Sequence, residues 1–220
     1  MHQIVQNLVN IQEEINAHLS NQKNHKIPKI IAVSKTFGMD KILPLIEYGH
    51  LDFGENKVQE AMEKWGDIKL SNNNIKLHLI GGLQTNKVKF AVKLFDYIHS
   101  VDNEKLAKKI SDEQQKQKKK VKIFIQVNIG NEQQKFGVDK LSVSELYSYC
   151  KTLNLEVVGL MCIPPINKPS EIFFKEMRVL NKKLNFEELS MGMSSDYLNA
   201  IQNCATYVRI GSNIFGQRIK

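Results

Sequence analysis

The chain has 220 residues, enough for one well-buried core and too few for two ordinary domains, so one domain over residues 1–220 is expected. Hydrophobic residues make up 42% and charged residues 25%, the usage of a globular protein, which excludes a disordered or fibrous chain. No apolar run reaches the ~20 residues a membrane helix needs, and the net charge of +8 raises only a general attraction to polyphosphate.

The opening segment, roughly residues 3 to 20, is amphipathic and carries Glu13 and Glu14 where a signal peptide would have its apolar core. It predicts a leading helix and a cytoplasmic protein. From there, short β-branched runs alternate with longer amphipathic stretches, the pattern of repeated βα units on a parallel sheet. Strands are predicted at 30–35, 51–55, 76–81, 97–101, 121–128, 157–162, 189–193 and 207–211. Helices are predicted at 40–48, 56–65, 85–95, 103–118, 142–153, 170–184 and 196–203. Eight strands with helices between them predict an α/β fold, a single (β/α)8 TIM barrel, with the leading helix covering its bottom. An open Rossmann-type sheet is the alternative, weakened because Ser34, Lys35 and Thr36 stand where a GxGxxG would follow the first strand. The polar run 71–74 and the loop 164–169 are short enough to be connections, and the five residues after Phe215 leave no room for a second domain.

Much of the positive charge sits in Lys116, Lys118, Lys119 and Lys120, at the end of a predicted helix where cations suit the macrodipole. No aromatic platform is interleaved with them, so a solvated helix end is favoured over an RNA-binding patch. The three cysteines, Cys150, Cys162 and Cys204, have neither CxxC nor zinc-ligand spacing and read as reduced, mostly buried thiols.

Active sites of such barrels lie at the carboxyl ends of the strands, which directs attention there. Lys35 closes the run IIAVSK on the same face as Ile31 and Val33. Partial desolvation at a strand end favours the neutral amine that imine formation requires, although a lysine reaching past the strand to water fits equally. The loops after the last two strands, MGMSSD and RIGSN, contain Ser194, Gly211 and Ser212 and suit a phosphate; helix capping by Ser195 or Asp196 is the plainer account. Arg209 sits near the end of an apolar strand and needs a partner, either a ligand or an inward carboxylate such as Glu55. Gly54 permits close approach beside Asn56, which offers an amide at the rim. His78 among leucines reads as a satisfied core residue, and Lys135 and Gly137 as members of an exposed polar loop.

The stretches IAVSKT, DFGENKVQE, HLIGGLQTNK, QVNIGNEQQKFGV, GLMCIPP, LSMGMSSDY and VRIGSNIFGQR run in order over nearly the whole chain. Together they resemble the pyridoxal phosphate homeostasis protein family, also called proline synthetase co-transcribed proteins. The resemblance implies an alanine racemase-like barrel of PLP fold type III, with pyridoxal 5′-phosphate (PLP) held as an imine on Lys35. It implies phosphate contacts from Ser194, Gly211 and Ser212, Arg209 facing the pyridine nitrogen, and Asn56 near the ring. It also implies a PLP-binding protein that affects vitamin B6 and amino-acid balance; the expectation is a monomeric carrier that buffers PLP or passes it to PLP-dependent apoenzymes, without racemase turnover because Arg209 would keep the ring nitrogen unprotonated. The alternative is a PLP-dependent amino-acid racemase; racemases of this type add a C-terminal β domain. Leu77, Leu79 and Gly82 depart from the family pattern, which affects the local shape of the rim.

Overall fold

The computed structural model describes residues 1–20, 26–132 and 136–217. The β-branched runs form β1 (Lys29–Val33), β2 (Asp52–Glu55), β3 (Lys76–Leu79), β4 (Tyr97–Val101), β5 (Lys122–Val127), β6 (Glu156–Cys162), β7 (Glu188–Met193) and β8 (Tyr207–Ile210). They pair in parallel and in chain order, and β8 returns to β1 to close a barrel. Closure excludes the open Rossmann-type sheet. The amphipathic stretches form α1 (Gln3–Leu19), α2 (Met39–Glu47), α3 (Val58–Ser71), α4 (Val88–Leu94), α5 (Glu104–Gln117), α6 (Val143–Thr152), α7 (Ser170–Lys183), α8 (Tyr197–Gln202) and α9 (Ser212–Phe215).

Strand alternation separates two cores. Outward residues such as Ala32, Phe53, Val208 and Ile210 pack beneath the helices. Inward residues Ile31, Tyr97, Phe124, Met161 and Tyr207 fill the barrel itself. The helix ends follow ordinary capping chemistry: the Asn103 side chain accepts from the Leu106 N–H at 2.9 Å and opens α5.

Three expectations change. The leading helix does not cover the bottom of the barrel. Instead, α1 packs between α2 and α9, with Asn7 Nδ2 donating to Ile214 O at 2.9 Å and Tyr197 Oη donating to Glu14. Because α9 is only a four-residue helix, α1 takes the place in the outer ring that a longer helix after β8 would occupy. The strand predicted at 30–35 ends at Val33, and Lys35 opens a turn. The basic tract is also more than a solvated end: Lys119 Nζ donates to Lys93 O at 2.8 Å and Phe95 O at 3.1 Å, satisfying carbonyls at the end of α4.

Cys150 and Cys162 are buried, and burial pushes both thiols up to about 12; Cys204 is half-buried. No helix among the described residues is long and apolar enough to cross a membrane.

Candidate functional site

A cavity of about 480 Å³ opens at the carboxyl ends of the strands, and Lys35, Asn56, Ser194, Arg209, Gly211 and Ser212 all line it. Strand geometry explains how β1 and β8 supply it. Ile31 points into the barrel and Val33 onto the cavity wall, and the same period carries Lys35 to the cavity beyond the strand end. Tyr207 and Arg209 lie inward on β8, and the parallel register sets Ile31 opposite Arg209.

Ser34, between Val33 and Lys35, points the other way. Its hydroxyl donates to Glu55 Oε1 at 2.7 Å, which also accepts from Lys64 Nζ and Trp65 Nε1, each at 3.0 Å. Lys64 Nζ additionally donates to Ser34 O at 3.0 Å. Past the lysine, the Thr36 N–H donates to Glu60 Oε1 at 2.7 Å. The backbone on both sides of Lys35 is therefore anchored to α3, while Lys35 itself is half-buried at the cavity wall.

Glu55 is not the partner of Arg209. Its outward position on β2 gives it to α3, whereas Arg209 is inward and 4% exposed. Arg209 Nη1 donates to Ser190 Oγ and Nη2 to Cys162 O, each at 2.8 Å. Burial lowers the Arg209 pKa from its ordinary value, but a guanidinium remains a cation in proteins. Asn56 reaches the rim because Gly81 lets the chain pass: a Cβ on Gly81 would lie 2.3 Å from Asn56 O.

The loops after β7 and β8 join into one cup. The Gly211 N–H donates to Ser194 Oγ at 3.2 Å, and Asn213 Nδ2 donates to Ser194 O at 3.0 Å. Asp196 is already engaged, accepting from the Met193 N–H at 2.7 Å and closing the turn. Ser212 opens α9, a helix that the Gly/Ser composition of the loop concealed.

His78 is wholly buried and hydrogen-bonded to Asp52 and His99, as expected of a satisfied core residue. Gly137 is not explained by exposure. It turns at φ +120 with its N–H donating to Asp102 Oδ2 at 3.2 Å, and a Cβ there would lie 2.5 Å from Asn128 N. Lys135 lies outside the described residues. Sequence reasoning missed Gln126 and Phe136 in the cavity wall. A glutamine inside the apolar run KIFIQV was a usable signal for the first. Phe136 lies in a polar loop, and its ring sits 3.3 Å from where a Gly82 Cβ would be.

A family model described as alanine racemase, N-terminal domain, matches residues 7–219. The closed barrel and its strand-end cavity thus define a protein of the alanine racemase N-terminal barrel class. The pyridoxal phosphate homeostasis protein of Aquifex aeolicus (strain VF5) is 38% identical over 200 residues, covering 86% of this chain and 87% of that one. The Homo sapiens protein of the same name is 36% identical over 212 residues, covering 87% of this chain and 77% of its own length. This chain belongs to the pyridoxal phosphate homeostasis protein family. PipY of Synechococcus elongatus PCC7942, solved with PLP bound, superposes with a TM-score of 0.85 at 30% identity, covering 97% of this chain and 100% of PipY. Alanine racemase of Clostridium difficile 630 shares the fold at 14% identity and a TM-score of 0.73, over 99% of this chain and 57% of the racemase.

Proposed function

We propose that this chain holds PLP in the strand-end cavity, covalently and reversibly on Lys35, and serves as a monomeric carrier that buffers PLP or delivers it to PLP-dependent apoenzymes, with effects on amino-acid balance. The observation that carries the reading is the convergence of an amine, a fixed cation and a cup of N–H and hydroxyl donors on one cavity of about 480 Å³. That donor set fits a phosphorylated pyridine aldehyde. Bound there, PLP supplies an aldehyde that links reversibly to an amine with loss of water.

In this reading Lys35 offers the amine. Ser194, Gly211 and Ser212 donate to the phosphate, and Asn56 lies beside the ring. Arg209 faces the ring nitrogen and, as a fixed cation, disfavours its protonation. An unprotonated pyridine is a poor electron sink, so proton removal from a bound amino acid is slow and carriage is favoured over turnover. The relatives' names as homeostasis proteins are consistent with that role.

Borohydride reduction of the PLP-loaded protein followed by peptide mapping is expected to place the pyridoxyl group on Lys35. Label mainly on Lys57 or Lys87 defeats the assignment. Incubation with single enantiomers of common amino acids, read by chirality, separates carrier from racemase. Sustained Lys35-dependent racemisation at ~1 to 10³ per second, the range typical of enzymes, overturns the carrier reading.

A further inference from the structure

The interiors of such barrels are usually filled by branched aliphatic side chains. Here a polar chain threads the aromatic inner layer. Asp52 Oδ1 lies 3.0 Å from His78 Nε2, His78 Nδ1 lies 3.0 Å from His99 Nε2, and His99 Nδ1 lies 3.0 Å from Ser190 Oγ. Arg209 Nη1 then donates to Ser190 Oγ at 2.8 Å. His78, His99 and Ser190 are wholly buried. Asp52, at the first residue of β2, is 21% exposed at its side chain. The chain thus runs the length of the barrel, from the amino-terminal end of β2 to the cavity wall.

We propose that these hydrogen bonds all point one way, from Arg209 to Asp52, so that His78 and His99 each carry their proton on Nε2 and Asp52 is a positioning residue for Arg209 from the opposite end of the barrel. The directions follow from the two ends. Arg209 can only donate, and an ionised Asp52 can only accept. Burial acts to raise Asp52, but the hydrogen bond from His78, helped by His50 and the Lys29 ammonium nearby, outweighs it and holds the carboxyl below its ordinary range. His78 Nε2 must then bear hydrogen. A neutral His78 accepts at Nδ1, so His99 donates from Nε2 and accepts at Nδ1. Ser190 must give its hydroxyl hydrogen to His99, which leaves its lone pairs for Arg209. Every polar site in the chain is then used in its proper role.

Reversing the middle bonds requires an imidazolium at His78, donating from both nitrogens. That places a second cation in the interior that already holds Arg209. Burial lowers His78 against the pull of Asp52, and burial, His78 and Arg209 all lower His99. The other charged groups acting on His78 are Asp96 and Lys29, of opposite sign. Ring packing fixes the planes: His78 stacks on Tyr97 at 4.4 Å and His99 on Phe124 at 4.2 Å, with Tyr207 against both histidines. With the Ser190 hydrogen committed to His99, Arg209 meets an acceptor on its inner side and, with Nη2 also donating to Cys162 O, has only its other N–H groups to offer the cavity.

The direction of the chain is independent of the proposed ligand; only its consequence for PLP rests on that reading. Side-chain ¹⁵N NMR of the ligand-free protein is expected to show both histidines neutral, protonated at Nε2 and bare at Nδ1. Asp52→Asn presents a donor as well as an acceptor to His78 and so releases the direction. A second tautomer should then appear at His99, which Asp52 does not touch. A wild-type His99 that is charged or protonated at Nδ1, or tautomers unmoved by Asp52→Asn, overturns the proposal. In a second arm, Asp52→Asn is expected to weaken PLP about threefold to tenfold, less than the loss of a whole charge-assisted hydrogen bond, and to move the ¹⁵N signal of the bound ring nitrogen. Unchanged affinity and ring signal refute the positioning role. If PLP does not bind the wild type at all, the proposed function fails while the tautomer experiment still decides the chain.

Discussion

The Thr36 N–H donates to Glu60 Oε1 at 2.7 Å, and Thr36 holds a left-handed backbone at φ +67. A β-branched residue in that region is a genuine outlier, maintained only where surrounding contacts demand it. The contact in question reaches from α3 to the residue after Lys35, while Lys64 and Glu55 secure the residue before it. Strain is therefore accepted at the turn that aims the candidate imine lysine.

Thr36→Gly relieves that strain. Left-handed strain costs about 1 to 3 kcal/mol, and the greater freedom of glycine in the unfolded chain offsets part of the gain. The variant is expected to be more stable by about 1 kcal/mol in urea unfolding, with a less well-aimed Lys35 and a slower formation of the borohydride-reducible link. Lower stability refutes the account of strain.

Glu55→Ala removes the acceptor shared by Ser34, Lys64 and Trp65. Breaking a buried ion pair costs about 3 to 5 kcal/mol, and the lower end applies because Lys64 retains Glu60 at 3.2 Å and Ser34 O. Denaturant unfolding should show that loss of about 3 kcal/mol. A change below ~1 kcal/mol would show that α3 does not hold the end of β1 in this way.

Ser194→Ala removes the oxygen that the Gly211 N–H now uses and, in the proposed binding mode, one donor to the phosphate. A net hydrogen bond is worth about 0.5 to 1.5 kcal/mol, and one to a charged group about 1.5 to 3, so PLP affinity should fall roughly tenfold. Pyridoxal, which lacks the whole phosphate, should bind more weakly still to the wild type. Equal binding of PLP and pyridoxal by fluorescence titration removes the phosphate role of the cup.

Stability should fall on mild acidification. Burial lowers His50, His78 and His99 below the ordinary histidine value of about 6.5, so the unfolded chain takes up protons first as pH falls. Their contribution is complete above pH ~6.5 and is lost progressively below it, by up to ~1.4 kcal/mol per pH unit for each group. Denaturant midpoints measured from pH ~7 to ~5 should decline accordingly, and His99→Gln should flatten the decline. A pH-independent midpoint would show that the histidines protonate within the fold.

Much of the barrel was legible because backbone geometry is local. The two-residue period in IIAVSK and in YVRI assigns Ile31, Val33, Lys35, Tyr207 and Arg209 to the inner side whatever the rest of the chain does. The Gly/Ser loops after the last two strands marked the cup for the same reason, since close backbone approach requires small residues. The α9 helix escaped notice because four residues are too few to show a period.

Glu55, which the sequence offered as an inward carboxylate for Arg209, lies on the outer side of β2, and nothing in the sequence named Lys64 and Trp65 as its partners. Nor did it join Asp52, His78, His99, Ser190 and Arg209, whose contacts bridge from 19 to 91 positions along the chain. Spacing of that kind has no periodic signature. It arises when parallel strands pair in one register and the last returns to the first, bringing inward side chains from distant strands to a common axis. The sequence by itself determined the two-residue alternation along each strand, through the geometry of single strands; the closed barrel decided which face of β2 is inner and which inward side chains meet.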